Sequence, residues 1–267
     1  MTVTFSGGLG AQILSLAIVL DFHRRNIPVG INLDYFSQQP RIAGPGEGIS
    51  VWPWGLDLFG FSYQQVLDLS NFGRETRAPI LEDSPQKFAL GVEALLRPEI
   101  RNQFPSIPVP HNFDALGLEI HDSRNRYVAF HLRRGDYLNV ASYLVPDFAY
   151  TELASKVSKA FDCAIVVSDS YLNSQTRNFF TQEFNRVEIL EGPEHDSGQI
   201  HHLLRNSAMH FGSNGQFSLT AGVLGDGLFF RPKPWFGQDS PYDALLENFA
   251  ATSMQIFLGS TPQLDAD

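Results

Sequence analysis

Tyr127-Val-Ala-Phe-His-Leu-Arg-Arg-Gly-Asp-Tyr137 is the stretch on which the fold turns. Tyr127 to Leu132 reads as a strand whose apolar body, Tyr127 to Phe130, gives way at His131 to two arginines, a glycine, an aspartate and a tyrosine. An apolar strand that ends in a charged, glycine-containing loop is the pattern of an open parallel sheet. In such sheets ligands collect outside the carboxyl ends of the strands.

Downstream of this block the pattern alternates. Phe148 to Phe161 has helical spacing with Leu153, Val157 and Phe161 inward. Strands are expected at Ala164 to Val167, Val187 to Leu190, Met209 to Gly212 and Leu228 to Phe230, the last before Pro232. Helices are expected at Asn173 to Phe184, Gln199 to Ser207, and from Ser218 to the glycines at 225 and 227. Cys163, the single cysteine, opens an apolar run and is expected to be buried in a strand, so no intrachain disulfide is possible.

Upstream, Val3 to Phe5 reads as a strand and Ser6-Gly-Gly-Leu-Gly10 as a tight turn. Gln12 to Asn26 reads as a helix with Ile13, Leu16, Ala17 and Leu20 on one face, and Val29 to Leu33 as the next strand. Gln38 to Asp83 has no sustained period and reads as loops and short elements; Pro85 to Phe104 reads as helical. Pro105, Pro108 and Pro110 then mark an interdomain linker. The expectation is an α/β protein of two halves, residues 1–110 and 111–267, with a cleft between them.

Bulk properties fit that outline. The chain has 267 residues, 43% apolar and 18% charged, as ordinary globular proteins have. A formal net charge of −10 argues against a nucleic-acid partner, while leaving room for a local basic pocket. The start of the chain shows no signal-peptide pattern and no apolar run is long enough for a membrane span. The expectation is a cytoplasmic protein, peripheral to the membrane where its acceptor is lipid-linked.

Four segments carry chemistry. Gly8-Leu-Gly10-Ala-Gln12-Ile13 follows a strand and opens a helix, which offers backbone donors to an anion or a sugar. His131 to Tyr137 brings two guanidiniums to a strand end. A guanidinium fork matches a diphosphate and stays charged, and it would stabilise a departing nucleoside diphosphate more than the bound substrate. Ser168-Asp169-Ser170 ends the next strand with short polar side chains, suited to a ribose or to capping a helix through Asp169 or Ser170. Phe211-Gly-Ser213-Asn214-Gly215-Gln216-Phe217-Ser218 joins a strand to a helix and forms another phosphate-type cradle.

In this order the segments resemble the α-1,2-fucosyltransferases, glycosyltransferase family eleven. The resemblance rests on Gly7 to Gln12, His131 to Tyr137, Ser168-Asp169, Ser213 to Ser218 and Pro232-Lys-Pro-Trp235-Phe236. Departures from the family pattern stand at Ala11, Ser170 and Leu219-Thr220. The resemblance implies a GT-B-like fold of two Rossmann-type halves facing a cleft. GDP would sit in the C-terminal half, and transfer from GDP-fucose to a glycan or glycoconjugate hydroxyl would invert the anomeric centre without a metal. It implies Arg133 at the donor diphosphate, with His131 and Asp136 beside it as catalytic residues. It places Gly8, Gly10, Gln12, Arg134, Ser168, Asp169, Ser213, Asn214, Phe217 and Ser218 around the donor.

No general base stands out; Asp136, His195, Asp196 and Asp34 are the candidates. Glu191, Glu194 and Asp196 flank Gly192 and Pro193 and read as a solvated loop, not a metal site. Trp52 and Trp54 read either as packing or as a sugar-stacking platform. Rival readings are a GT-B transferase with another nucleotide sugar or a protein acceptor, a binding module without catalysis, and an NAD(P)-dependent oxidoreductase built on the Gly8 loop and Asp34.

Overall fold

The computed structural model describes residues 1–37, 52–71, 79–105, 127–139, 141–192, 195–236 and 240–247, and the backbone of 254–258. The chain divides into two compact units, Met1–Ile107 and Pro108–Asp267. The proline linker beyond Pro105 lies outside the described residues. No helix among those described is long and apolar enough to cross a membrane.

The first unit contains β1 (Thr2–Thr4), α1 (Leu9–Arg24), β2 (Gly30–Asn32), α2 (Asp34–Ser37), α3 (Tyr63–Asp68), β3 (Ile80–Leu81), α4 (Pro85–Leu95) and α5 (Pro98–Arg101). Its sheet is parallel with order β2-β1-β3. The helix α1 begins three residues earlier than its pattern suggests. Gly7 alone takes a left-handed φ of 72°, Gly8 is the N-cap, and Leu9 already winds. Glycine's low helix propensity hides this start in the sequence. The helices α1 and α4 approach closely at Gly91, where an added Cβ would lie 2.8 Å from the Cβ of Leu14. Pro98 divides the expected single helix into α4 and α5.

The second unit contains β4 (Tyr127–Leu132), α6 (Asp147–Val157), β5 (Cys163–Ser168), α7 (Ser174–Glu183), β6 (Arg186–Glu191), α8 (Ser197–Arg205), β7 (Met209–Phe211), α9 (Gln216–Leu224), β8 (Leu228–Lys233), α10 (Pro241–Glu247) and β9 (Met254–Leu258). All neighbouring strands pair in parallel, in the order β6-β5-β4-β7-β8-β9. The strand β8 runs on through Pro232. The β7 ladder has ended at Phe230, so from Arg231 on β8 is paired on one side only, a setting that tolerates proline.

Both faces of β4 are buried. Val128, Phe130 and Leu132 pack with Ala149, Tyr150 and Phe180 on one face; Tyr127 and Ala129 pack with Ile200, Leu203, Leu204 and Ala221 on the other. This explains the near-continuous apolar run. From β4 the chain builds β5 and β6 to one side and β7, β8 and β9 to the other. The switch point therefore lies between β4 and β7, where an open α/β sheet forms a ligand crevice at its carboxyl edge.

Candidate active site

The loop after β4 is held by the end of β5. Asp169 Oδ1 accepts from the Arg134 amide at 2.6 Å, and Ser170 Oγ accepts from the Gly135 amide at 3.1 Å. The same aspartate pairs through Oδ2 with Arg133 Nε at 3.0 Å. An added Cβ at Gly135 would stand 2.5 Å from Asp169 Oδ2, so a larger residue there would displace the carboxylate that holds the loop. The Arg133 guanidinium lies over the Tyr137 ring, 5.0 Å from its centroid, and its side chain keeps 19% of its surface open. Asp169 and Ser170 thus position the arginine loop. Neither caps the following helix: Asn173 does, accepting from the Thr176 amide at 2.8 Å.

The two arginines part company. Arg134, expected at the donor, is buried and committed elsewhere. Its Nη2 pairs with the Asp147 carboxylate, its Nη1 donates to the Arg133 carbonyl at 2.9 Å, and it lies 6.0 Å over the Tyr150 ring. Asp147 also accepts from Asn173 Nδ2 at 2.9 Å and Thr176 Oγ1 at 2.5 Å. Partial burial pushes the Asp147 carboxyl up, but the Thr176 hydrogen bond and the Arg134 charge outweigh it and hold the group below its ordinary value. The backbone of Asp136 lies in the short 3-10 turn Gly135–Asn139; its side chain lies outside the described residues.

His131 is the second departure. Expected as a catalytic residue, it lies within β4 and is buried. Its Nδ1 lies 2.5 Å from Ser218 Oγ and 3.2 Å from Ser213 Oγ. Ser218 Oγ in turn accepts from the Ser213 amide at 3.1 Å, so its own proton is free to meet the imidazole. Burial above all, then His210 and the two arginines, pushes the His131 pKa well below its ordinary value. A neutral, enclosed imidazole orders the serine loop and is poorly suited to exchange protons with a substrate. Tyr150 ties the two strand ends together, its hydroxyl 2.9 Å from the His131 carbonyl and 3.2 Å from that of Gly212.

The β7–α9 loop completes the crevice. Asn214 Nδ2 donates to the Tyr143 carbonyl at 2.8 Å and its Oδ1 accepts from the Phe236 amide at 3.3 Å, so this side chain joins three loops. Gly215 is the N-cap of α9 and offers no side chain to the first-turn amides. It adjoins the arginine loop, since a Cβ there would be 3.4 Å from the Tyr137 hydroxyl. An uncapped helix start next to a loop that carries an arginine suits a phosphate. Tyr137, Tyr143 and Phe236 form an edge-to-face cluster with centroids 5.2–6.4 Å apart. Phe217 packs on His131 and His201, and Ser168 Oγ accepts from the Ser170 amide at 3.3 Å.

The glycine turn of the first unit is stapled by Gln12. Its Nε2 donates to the carbonyls of Gly7 (3.0 Å) and Pro53 (2.9 Å), and its Oε1 accepts from the Gly55 amide at 2.9 Å. Gln12 and Gly10 are buried within α1, so of the expected trio only Gly8 sits at the turn itself. Among the expected bases, His195 is exposed, Asp196 caps α8 through the Gln199 amide, and Asp34 opens α2. Glu191 is not solvated: it ends β6, buried, accepting from the Leu172 amide and paired with Arg177. Glu194 lies outside the described residues, among which no group of three or more His, Cys, Asp or Glu side chains could hold a metal. Sequence reasoning missed Asp147, Tyr150 and Thr176, whose roles depend on partners far away along the chain.

No protein-family model and no curated protein matches the chain. Among solved structures, E. coli heptosyltransferase WaaC with ADP is similar at a TM-score of 0.50 and 11% identity, over 98% of this chain and 95% of that one. POFUT1 in complex with GDP-fucose is similar at 0.43 and 11%, over 85% and 94%. A Listeria monocytogenes protein assigned as a UDP-N-acetylglucosamine 2-epimerase gives 0.42 and 12%; this chain matches 62% of its length. The heptosyltransferase likeness shows the fold: α/β with two Rossmann-type halves, of the GT-B kind.

Proposed function

We propose that the chain is a glycosyltransferase that takes a GDP-sugar, GDP-fucose in particular, and transfers the sugar to a glycan hydroxyl with inversion, in α-1,2 linkage and without a metal. The observation that carries this reading is Arg133, a partly exposed arginine at the switch point, aligned by Asp169, in a loop whose Tyr137 adjoins the uncapped start of α9. In the reaction the acceptor oxygen bonds to the anomeric carbon as the bond from that carbon to the β-phosphate oxygen breaks. GDP leaves with that electron pair, and the acceptor proton is lost to solvent or a base. A fixed cation at the diphosphate meets the charge as it grows. The order of the Gly7, His131, Ser168 and Ser213 motifs supports GDP and fucose over other donors.

Thermal unfolding with GDP, ADP, UDP and NAD tests the donor. At a hundredfold excess over its dissociation constant GDP should stabilise by about 2.7 kcal/mol, or about 5–10 °C for a chain of this size. A shift with ADP or UDP and none with GDP would assign another nucleotide sugar. A shift with NAD alone would overturn the transferase reading.

A further inference from the structure

The carboxyl edge of the three-stranded sheet holds a second group of side chains that the donor site does not use. The strand β1 lies between β2 and β3, so this edge has its own switch point at Ser6 to Gly8. The Ser6 hydroxyl donates to the Asp83 carboxylate, whose Oδ1 pairs with Lys87 Nζ at 2.7 Å. Lys87 is buried and also donates to the Thr4 carbonyl at 2.5 Å, whereas 65% of the Asp83 side chain faces solvent. The carboxylate is therefore anchored from behind and open in front.

Two residues from Ser6, the turn meets an indole. A Cβ on Gly8 would lie 3.4, 3.6 and 3.7 Å from three ring atoms of Trp52, so the ring faces the glycine. Trp52 is 37% exposed and its amide donates to the Tyr35 hydroxyl at 3.0 Å, which holds its backbone. Trp54 has a different part: its Nε1 donates to the Phe61 carbonyl and its ring packs among Phe5, Phe36 and Tyr63.

We propose that Trp52 and Asp83 form a binding site for a neutral pyranoside. An aromatic ring takes the C–H face of a sugar, and a fixed carboxylate accepts from two neighbouring hydroxyls. Lys87 is buried while the Asp83 carboxylate faces solvent, so the charge this site presents is negative and disfavours an anionic sugar. As the acceptor's place, this site rests on the transferase reading; as a sugar site, it stands without it.

The three tryptophans give three indole N–H signals in a nitrogen-15 correlation spectrum of the full chain, and Trp52→Phe assigns one. Methyl β-D-galactopyranoside, methyl α-D-mannopyranoside and methyl β-D-glucuronide are titrated separately. A neutral glycoside should move the Trp52 signal saturably while those of Trp54 and Trp235 stay in place, and the glucuronide should not. Asp83→Asn should weaken the response about tenfold or more, with the other two indole signals and the GDP response unchanged. The site is refuted if neither neutral glycoside moves Trp52, if all three indoles move together, if only the glucuronide binds, or if Asp83→Asn titrates like the parent. Loss of the sugar response with the GDP response intact removes this site alone. The reverse result removes the donor reading and leaves the sugar site.

Discussion

Mild acid should weaken the second unit through three histidines on one face of its sheet. His131 on β4, His210 on β7 and His201 on α8 are all buried. His201 Nε2 lies 3.1 Å from Thr220 Oγ1, and neither ring nitrogen of His210 has a partner among the described residues. Burial pushes His201 and His210 down to about 3, and burial with neighbouring His210 and arginine charge pushes His131 well below the usual value. In the unfolded chain each would titrate near about 6.5. Below that value the unfolded state binds protons that the folded state refuses, so stability falls as pH falls.

From about pH 7.5 to about pH 5.5 each histidine costs about 1.4 kcal/mol, and three together about 4 kcal/mol, a large share of a typical folding free energy. The Asp147 carboxyl, held low, acts in another window: its contribution is present above the unfolded value and is lost only in stronger acid. Urea unfolding followed by circular dichroism at several pH values measures the slope. His210→Leu should remove about a third of it and should raise stability at neutral pH, since an imidazole without hydrogen bonds is replaced by an apolar side chain against Phe229. A flat stability profile over this range, or an unchanged slope in His210→Leu, would refute the reasoning.

Arg133→Ala should stay folded and lose about a hundredfold in turnover, on the order of 3 kcal/mol, with Arg133→Lys between the two; near-normal steady-state rates in Arg133→Ala would remove its role. Arg134→Ala should instead cost about 1.5–3 kcal/mol of stability, because Asp147 loses its charged partner while keeping its bonds from Asn173 and Thr176. A melting temperature like the parent's would contradict that assignment. Transfer should persist in excess EDTA and change less than about twofold on adding magnesium or manganese; loss in EDTA restored by manganese would show a metal-dependent reaction.

Much of the fold was legible because burial writes itself into strands. Tyr127 to Leu132 is apolar on both faces, and its bounds in the structure are those of the pattern. Alternation also contains the fate of His131: it shares a face with Ala129 in a strand covered on both sides, so it had to be buried. The strand β3 left no such mark. Two residues carry no period, and Ile80–Leu81 is a strand only because β1 lies alongside. The same limit separates the two arginines. Adjacent in sequence, they differ only in what reaches them: Asp147, from the next helix, fixes Arg134, and Asp169, from the next strand, aligns Arg133. The site is a set of loops locked by side chains from other loops. Asp169 and Ser170 grip the arginine turn, Asn214 binds Tyr143 and Phe236, and Ser218 meets His131. Polar residues after strands mark where such a site lies, but which of them face a ligand is decided by pairings between distant segments. Arg133, paired with Asp169, keeps part of its side chain exposed, whereas Arg134, paired with Asp147, is buried, and no local pattern in the sequence separates the two.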